Sequence, residues 1–235
     1  MRQLLVLLMF SSTFLSAQNN SSYFEKADDF FKTYIENGKV KYAEIKQNPK
    51  LLSDLLTEAK KMKVSPENLN EFMAFWINAY NLAVIDGIIK NYPVKSPLDI
   101  KGFFDVQKHS LGQQSLTLDE IEHKILFGNF PEESRFHFVL VCAAKSCPPL
   151  ISEAYKPETL EDQMQRQTEK ALNNPEFIQL KNDKVLFSEI MKWFKDDFTK
   201  DGKSLIDYVN QYRETPIPET MEIGFYSYNW ELNEF

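Results

Sequence analysis

Hydrophobic positions recur along this chain with two different periods, and the switches between them mark out its elements. Ala27 to Glu36 (ADDFFKTYIE) places Phe30, Phe31, Tyr34 and Ile35 at helical spacing, behind two acidic residues that suit a helix N-terminus. Asn37-Gly38 ends it in the manner of a left-handed cap. Val40 to Ile45 alternates briefly and reads as a short strand or an extended link. Pro49 to Met62 carries a helical stripe of Leu51, Leu52, Leu55, Leu56 and Ala59. Ser65-Pro66-Glu67 has the form of a helix start, with serine as cap and proline in the first position. It leads into Phe72 to Tyr92 (FMAFWINAYNLAVIDGIIKNY), which is apolar all round and predicts a helix buried on most sides.

Pro93 and Pro97 break the chain, and Phe103 to Thr117 predicts a hairpin turning at Gly112, with His109 on its surface. Thr117 and Glu120 have the spacing of a capping box, opening a helix that stops near Gly128. Phe136 to Ala143 is apolar except for His137, is rich in β-branched and aromatic residues, and closes at Pro148-Pro149. That predicts a central strand buried on both faces, with Cys142 facing away from His137. A helix over Pro157–Leu172 and a second hairpin over Phe177–Phe187, turning at Asn182-Asp183, come next. Ser188 caps a helix that turns Ile190, Trp193 and Phe194 inward, and Leu205 to Tyr212 forms the last helix. The tail GFYSYNWELNEF reads as an edge strand returning to the core. The expected fold is a single α+β domain over 18–235, with a mixed or antiparallel sheet and helices packed on it.

Composition adds that the core is ample, since 43% of the 235 residues are hydrophobic and 14% aromatic. A net charge of −7 without a basic patch argues against nucleic acid as a partner. Residues 1–17 have a basic residue, an apolar run led by Leu4 to Leu8, and small residues at Ser16-Ala17, which is the form of a secretory signal peptide. The run is about half the roughly 20 residues a membrane span needs, and no later stretch is read as a span. The mature protein is therefore expected in the periplasm, the cell envelope or the extracellular space.

Polar residues inside greasy elements are the candidate chemistry. Asn78 and Asn81 share a face of the long helix, and each either ties loop backbone to it or orients a catalytic group. Glu122 falls in an apolar stripe, where a carboxylate either rises in pKa or takes a partner. His123 flanks it. For Cys142 and Cys147 a disulfide, a nucleophilic thiol and a pair of inert thiols all remain open. The scattered cysteines and histidines lack zinc-ligand spacing, and no glycine-rich phosphate loop occurs, so neither metal nor cofactor is expected.

In order, FWINAYNLAVI, SLTLDEIEHKILF, RFHFVLVCAAKSCPPL, SEIMKWFKDDF and YNWELN resemble domain-of-unknown-function family 547 over Phe72 to Asn233. The resemblance implies a setting among bacterial envelope proteins, and it singles out Asn78, Tyr80, Asn81, Glu122, His123, His137 and Cys147. The functional expectation is a thiol-dependent hydrolase or acyl transferase of papain- or transglutaminase-like layout, acting on peptide or amide bonds in the envelope. In it Cys147 is the nucleophile, His123 the base, and Glu122 or Asn78 the orienter. Asn81, Tyr80 and His137 would help to bind a small-molecule or peptide ligand. The competing expectation is a non-catalytic envelope binding module, in which the same residues brace a buried loop.

Overall fold

The computed structural model describes residues 21–235, so the leader read at 1–17 lies outside the described residues. Helix α4 (Leu69–Asn91) runs through the protein's interior, and from Ala74 to Ile85 every residue is buried. By length and hydropathy α4 is able to cross a membrane, contrary to the sequence reading, but it is the core helix, with 89% of its most apolar window buried in the protein.

Around it lie α1 (21–34), α2 (Tyr42–Gln47) and α3 (Lys50–Lys61), whose Leu52, Leu55 and Ala59 turn inward. Asn37 and Gly38 both take positive φ, as a left-handed cap would, and they turn the chain from β1 (Ile35–Glu36) into β2 (Lys39–Val40). Any side chain at Gly38 would run into Pro149, so this turn sits directly behind the Pro-Pro corner. The expected hairpin at Gly112 shrinks to β3 (His109–Leu111) and β4 (Gln114–Leu116). It docks on the end of α3, where the Gly112 and Gln113 amides donate to the carbonyls of Ala59 and Lys60 at 2.9 and 3.1 Å. His109 is half-buried rather than a surface residue, and burial lowers its pKa.

The largest departure is at Phe136–Ala143. No strand forms there. Phe136–Val139 is a single helical turn, α7, and the chain then runs extended and reverses at Ala143, whose φ is +65°. The β-rich composition reported burial, which the segment has, but no neighbouring strand offers it a hydrogen-bonding edge. Its backbone is satisfied by side chains and by the C-terminal tail instead. The Asn81 amide donates to the Val139 carbonyl at 2.9 Å and accepts from the Val141 N–H at 2.9 Å. Asn233 N–H donates to the Ala143 carbonyl, and Lys145 N–H to that of Glu231. One position earlier on the helix face, Asn78 makes the same double bond to the backbone of Tyr155, at 2.7 and 3.0 Å.

The strands are peripheral. β5 (Ile178–Lys181) pairs antiparallel with β6 (Lys184–Ser188), and β7 (Glu222–Tyr226) adds in parallel at the edge, where the tail was expected. A second hydrophobic cluster joins this mixed sheet to α9 (Ile190–Trp193), α10 (Lys195–Phe198) and α11 (Leu205–Asn210), with Phe138 reaching into it from α7. Helix α8 (Leu160–Asn173) closes the far side. Trp193 was expected inside and is 46% exposed. The α+β class stands, with helices at the centre and the sheet outside.

Asn81→Ala leaves a buried carbonyl and a buried N–H without partners, at a cost of about 1–3 kcal/mol each. The expected loss of unfolding free energy is about 2–5 kcal/mol by urea denaturation, with Asn78→Ala close behind. A loss under about 0.5 kcal/mol in both would show that these amides do not hold the loops.

Candidate active site

The capping box that starts the next helix is formed on both sides. Glu120 N–H donates to Thr117 Oγ1 at 3.1 Å, and Thr117 N–H to the Glu120 carboxylate at 3.0 Å. The helix runs through α5 (Leu118–Glu120), widens to a π-helical stretch over Ile121–Leu126, and ends in α6 (Phe127–Asn129). Such widened turns recur at functional sites because they re-aim side chains. Here Asp119 and Glu122 line a cavity of about 180 Å³.

Segments distant in sequence complete that cavity. Tyr80 comes from α4, His137 from α7, and Cys142 and Cys147 from the loop that follows. The far wall is apolar and aromatic and includes Ile190, Trp193, Phe194, Tyr228 and Trp230. The cysteine loop is held against the tail: Asn229 N–H donates to Ser146 Oγ at 2.8 Å, and the Tyr228 N–H is fixed by the Glu189 carboxylate at 2.9 Å.

Both cysteines are free, so the structure does not contain the disulfide that their spacing allowed. Their sulfurs lie 2.9 Å apart in hydrogen-bond contact. Cys142 Sγ also meets the Tyr228 hydroxyl at 3.1 Å, and the Cys142 backbone N–H donates to Cys147 Sγ at 3.0 Å. Burial pushes the Cys142 thiol up, but its hydrogen bonds with Cys147, Tyr228 and the Ala144 backbone outweigh it and leave the thiol below its ordinary value. Burial and the neighbouring Cys142 sulfur hold Cys147 well above its own. The two thiols therefore titrate as one coupled pair, with Cys142 lowered and Cys147 raised.

Burial also raises the Glu122 carboxyl, opposed by His137, His123 and a hydrogen bond with the Tyr80 hydroxyl. His137 is almost wholly buried, its ring stacked on Phe194 at 4.3 Å between centroids and its Nε2 placed 2.9 Å from Asp197 Oδ2. That contact is the chief reason the Asp197 carboxyl lies below its ordinary value. The imidazole is thus fixed between a carboxylate and an aromatic face, the arrangement that orients a histidine for proton transfer.

Of the residues singled out in the sequence, Cys147, Glu122, His137 and Tyr80 come together. Cys142 joins them, because without a strand it has no opposite face to point to. His123 does not: it is exposed, its Nδ1 lies 3.1 Å from the Asp119 carbonyl oxygen, and it meets the outer side of Phe194. Asn78 does not orient a catalytic group, since both ends of its amide are engaged by Tyr155. Asn81 is likewise a brace, not a ligand-binding group. Neither cysteine opens a helix, so the thiols lack the dipole that a papain-like layout would give them. Sequence reasoning missed Asp197, Tyr228 and the tryptophans, although SEIMKWFKDDF and YNWELN contain them. Among the described residues no group of His, Cys, Asp and Glu is arranged to hold a metal ion.

A folded-state pKa raised above the unfolded one means that the native protein keeps a proton the unfolded chain releases, so stability falls as pH rises through that interval. Glutamine at 122 keeps an acceptor for Tyr80 and has no proton to lose. Glu122→Gln is therefore expected to match the parent in thermal stability at pH 4 and to exceed it increasingly toward neutral pH. Parallel melting curves would contradict this.

The family model described as "Protein of unknown function, DUF547" matches residues 65–171. No curated protein and no solved structure matches the chain. The matched segment supplies Tyr80, Asp119, Glu122, His137 and both cysteines, whereas the aromatic wall at Trp193, Tyr228 and Trp230 follows it. Over residues 65–171, somewhat under half of its length, this chain is similar to the DUF547 family of proteins of unknown function.

Proposed function

We propose that the protein is an exported, thiol-dependent acyl transferase or hydrolase that acts on peptide or amide bonds in the cell envelope. One observation carries the reading. Two thiols, a carboxyl raised by burial and a carboxylate-held imidazole, contributed by separate segments, line a single small cavity. Groups of this kind are costly to bury, and sites with several perturbed pKa values are disproportionately catalytic. The signal-like leader supports export.

In this reading Cys142, not Cys147, is the nucleophile, because its thiolate is the one stabilised by neighbours. The thiolate attacks the substrate carbonyl and forms a tetrahedral oxyanion. Collapse expels the amine, which takes a proton from Glu122 or His137, and leaves a thioester on Cys142. Water or a second amine then attacks the thioester carbonyl, the same group accepts its proton, and the C–S bond breaks to release the acyl product and return the Cys142 thiolate. Cys147 and Tyr228 hold the Cys142 charge between turnovers.

Iodoacetamide and a p-nitrophenyl ester test the reading on the folded chain. Alkylation of Cys142 is expected to persist at pH values where a free thiol has nearly stopped reacting. The ester is expected to leave one acyl group per chain, retained in Cys147→Ser, released more slowly in Glu122→Gln and absent in Cys142→Ser. Alkylation no faster than that of a free thiol, together with no acyl-enzyme, would select the second reading, a non-catalytic envelope module. The double-bonded braces at Asn78 and Asn81 favour that alternative.

Tyr228→Phe removes one of the bonds that hold the Cys142 pKa down. A hydrogen bond to a charged group is worth about 1.5–3 kcal/mol, so the alkylation profile is expected to move up by about one to two pH units. An unmoved profile would mean that the Tyr228 hydroxyl does not support the thiolate.

A further inference from the structure

Among the described residues, nothing basic except an imidazole lines the cavity. Two carboxylic side chains, Asp119 and Glu122, and two thiols face it, and no lysine or arginine does. The wall is aromatic: Trp193 lies against Tyr228 at 5.0 Å and stacks on Trp230 at 6.0 Å and 21°, while Tyr228 meets Trp230 at 4.7 Å. Trp193 is 46% exposed, an unusual placing for the largest apolar side chain unless something covers it.

Resting on the acyl-transfer reading above, we propose that the substrate presents an alkylammonium group to this cavity, held between the Trp193–Tyr228–Trp230 wall and the carboxylates. Aromatic faces attract cations through their ring quadrupole. Asp119 supplies a formal counter-charge at the rim of the cavity. An anionic substrate would meet the Asp119 carboxylate and, among the described residues, no lysine or arginine. Size agrees as well. A cavity of roughly 150 Å³ holds a benzene ring, so about 180 Å³ accepts a head of some six heavy atoms.

Three probes of equal carbon number and different charge test this on the full chain: n-pentylammonium, 1-pentanol and pentanoate, followed by tryptophan emission and by calorimetry. Saturable binding of the ammonium is expected, at least tenfold tighter than the alcohol, with no binding of the carboxylate. Trp193→Ala, which leaves the interior intact because the side chain is exposed, is expected to weaken ammonium binding by roughly 2- to 30-fold. Asp119→Asn is expected to weaken it while leaving the alcohol unaffected. Equal affinity for alcohol and ammonium, preference for pentanoate, or unchanged affinity in both variants would overturn the proposal. Ammonium binding without ester acylation would instead overturn the acyl-transfer reading and leave the cation site standing. Acylation with no preference for charge would remove the cation site alone.

Discussion

A loop buried inside a protein must find partners for its own backbone, and that requirement shapes this molecule around residues 139–147. A sheet would satisfy the requirement by pairing. Here there is none, and the task falls to Asn81 on the central helix and to the tail at 229–233. Asn81 is rigid because α4 is buried on all sides, so the carbonyl of Val139 and the N–H of Val141 are fixed relative to Tyr80, one residue away on the same helix. The thiols and the tyrosine that lines the cavity beside them thus share one support. The same logic explains why Ala143 tolerates a left-handed φ, which costs an L-residue about 1–2 kcal/mol. Its carbonyl is paired with Asn233, and the reversal brings Cys147 back onto Cys142.

The electrostatics follow from that geometry. Two sulfurs in contact cannot both ionise, so their environments separate them, with Cys142 favoured by three hydrogen bonds and Cys147 disfavoured by burial and by its neighbour. Glu122 rises because the widened helical turn aims it into the cavity and not at solvent. His137 owes its orientation to Asp197, which lies 60 residues further along. Charged and neutral groups are therefore paired across segments that have no local reason to meet. The segment at 65–171 contributes Asp119, Glu122, His137 and the cysteines, and the following quarter of the chain contributes the aromatic wall at Trp193, Tyr228 and Trp230.

Local periodicity and chemistry carry only short distances along a chain, and within them the reading was sound. The apolar all-round pattern at 72–92 marked the core helix, because a helix without a polar face has to be enclosed. Capping residues at Thr117, the turns at Gly112 and Asn182 and the stripe on α3 are set by residues within a few positions of one another. The α+β class and the presence of Glu122, His137, Tyr80 and Cys147 in one site were legible for the same reason: polar groups in apolar stripes must meet somewhere inside.

Which of them meet, and in what role, was decided only by the tertiary structure. Phe136–Ala143 is as apolar and β-branched as a central strand, yet strand formation needs a partner edge, and none is nearby. Losing the strand removed the alternation that would have turned Cys142 away from His137, and so brought the second thiol into the cavity. His123 and Glu122 are adjacent in sequence, but a helix sends neighbours to different faces, and packing against Phe194 left the imidazole outside. Asn78 and Asn81 became braces because buried backbone lay opposite them, a fact recorded 77 and 58 residues away along the chain.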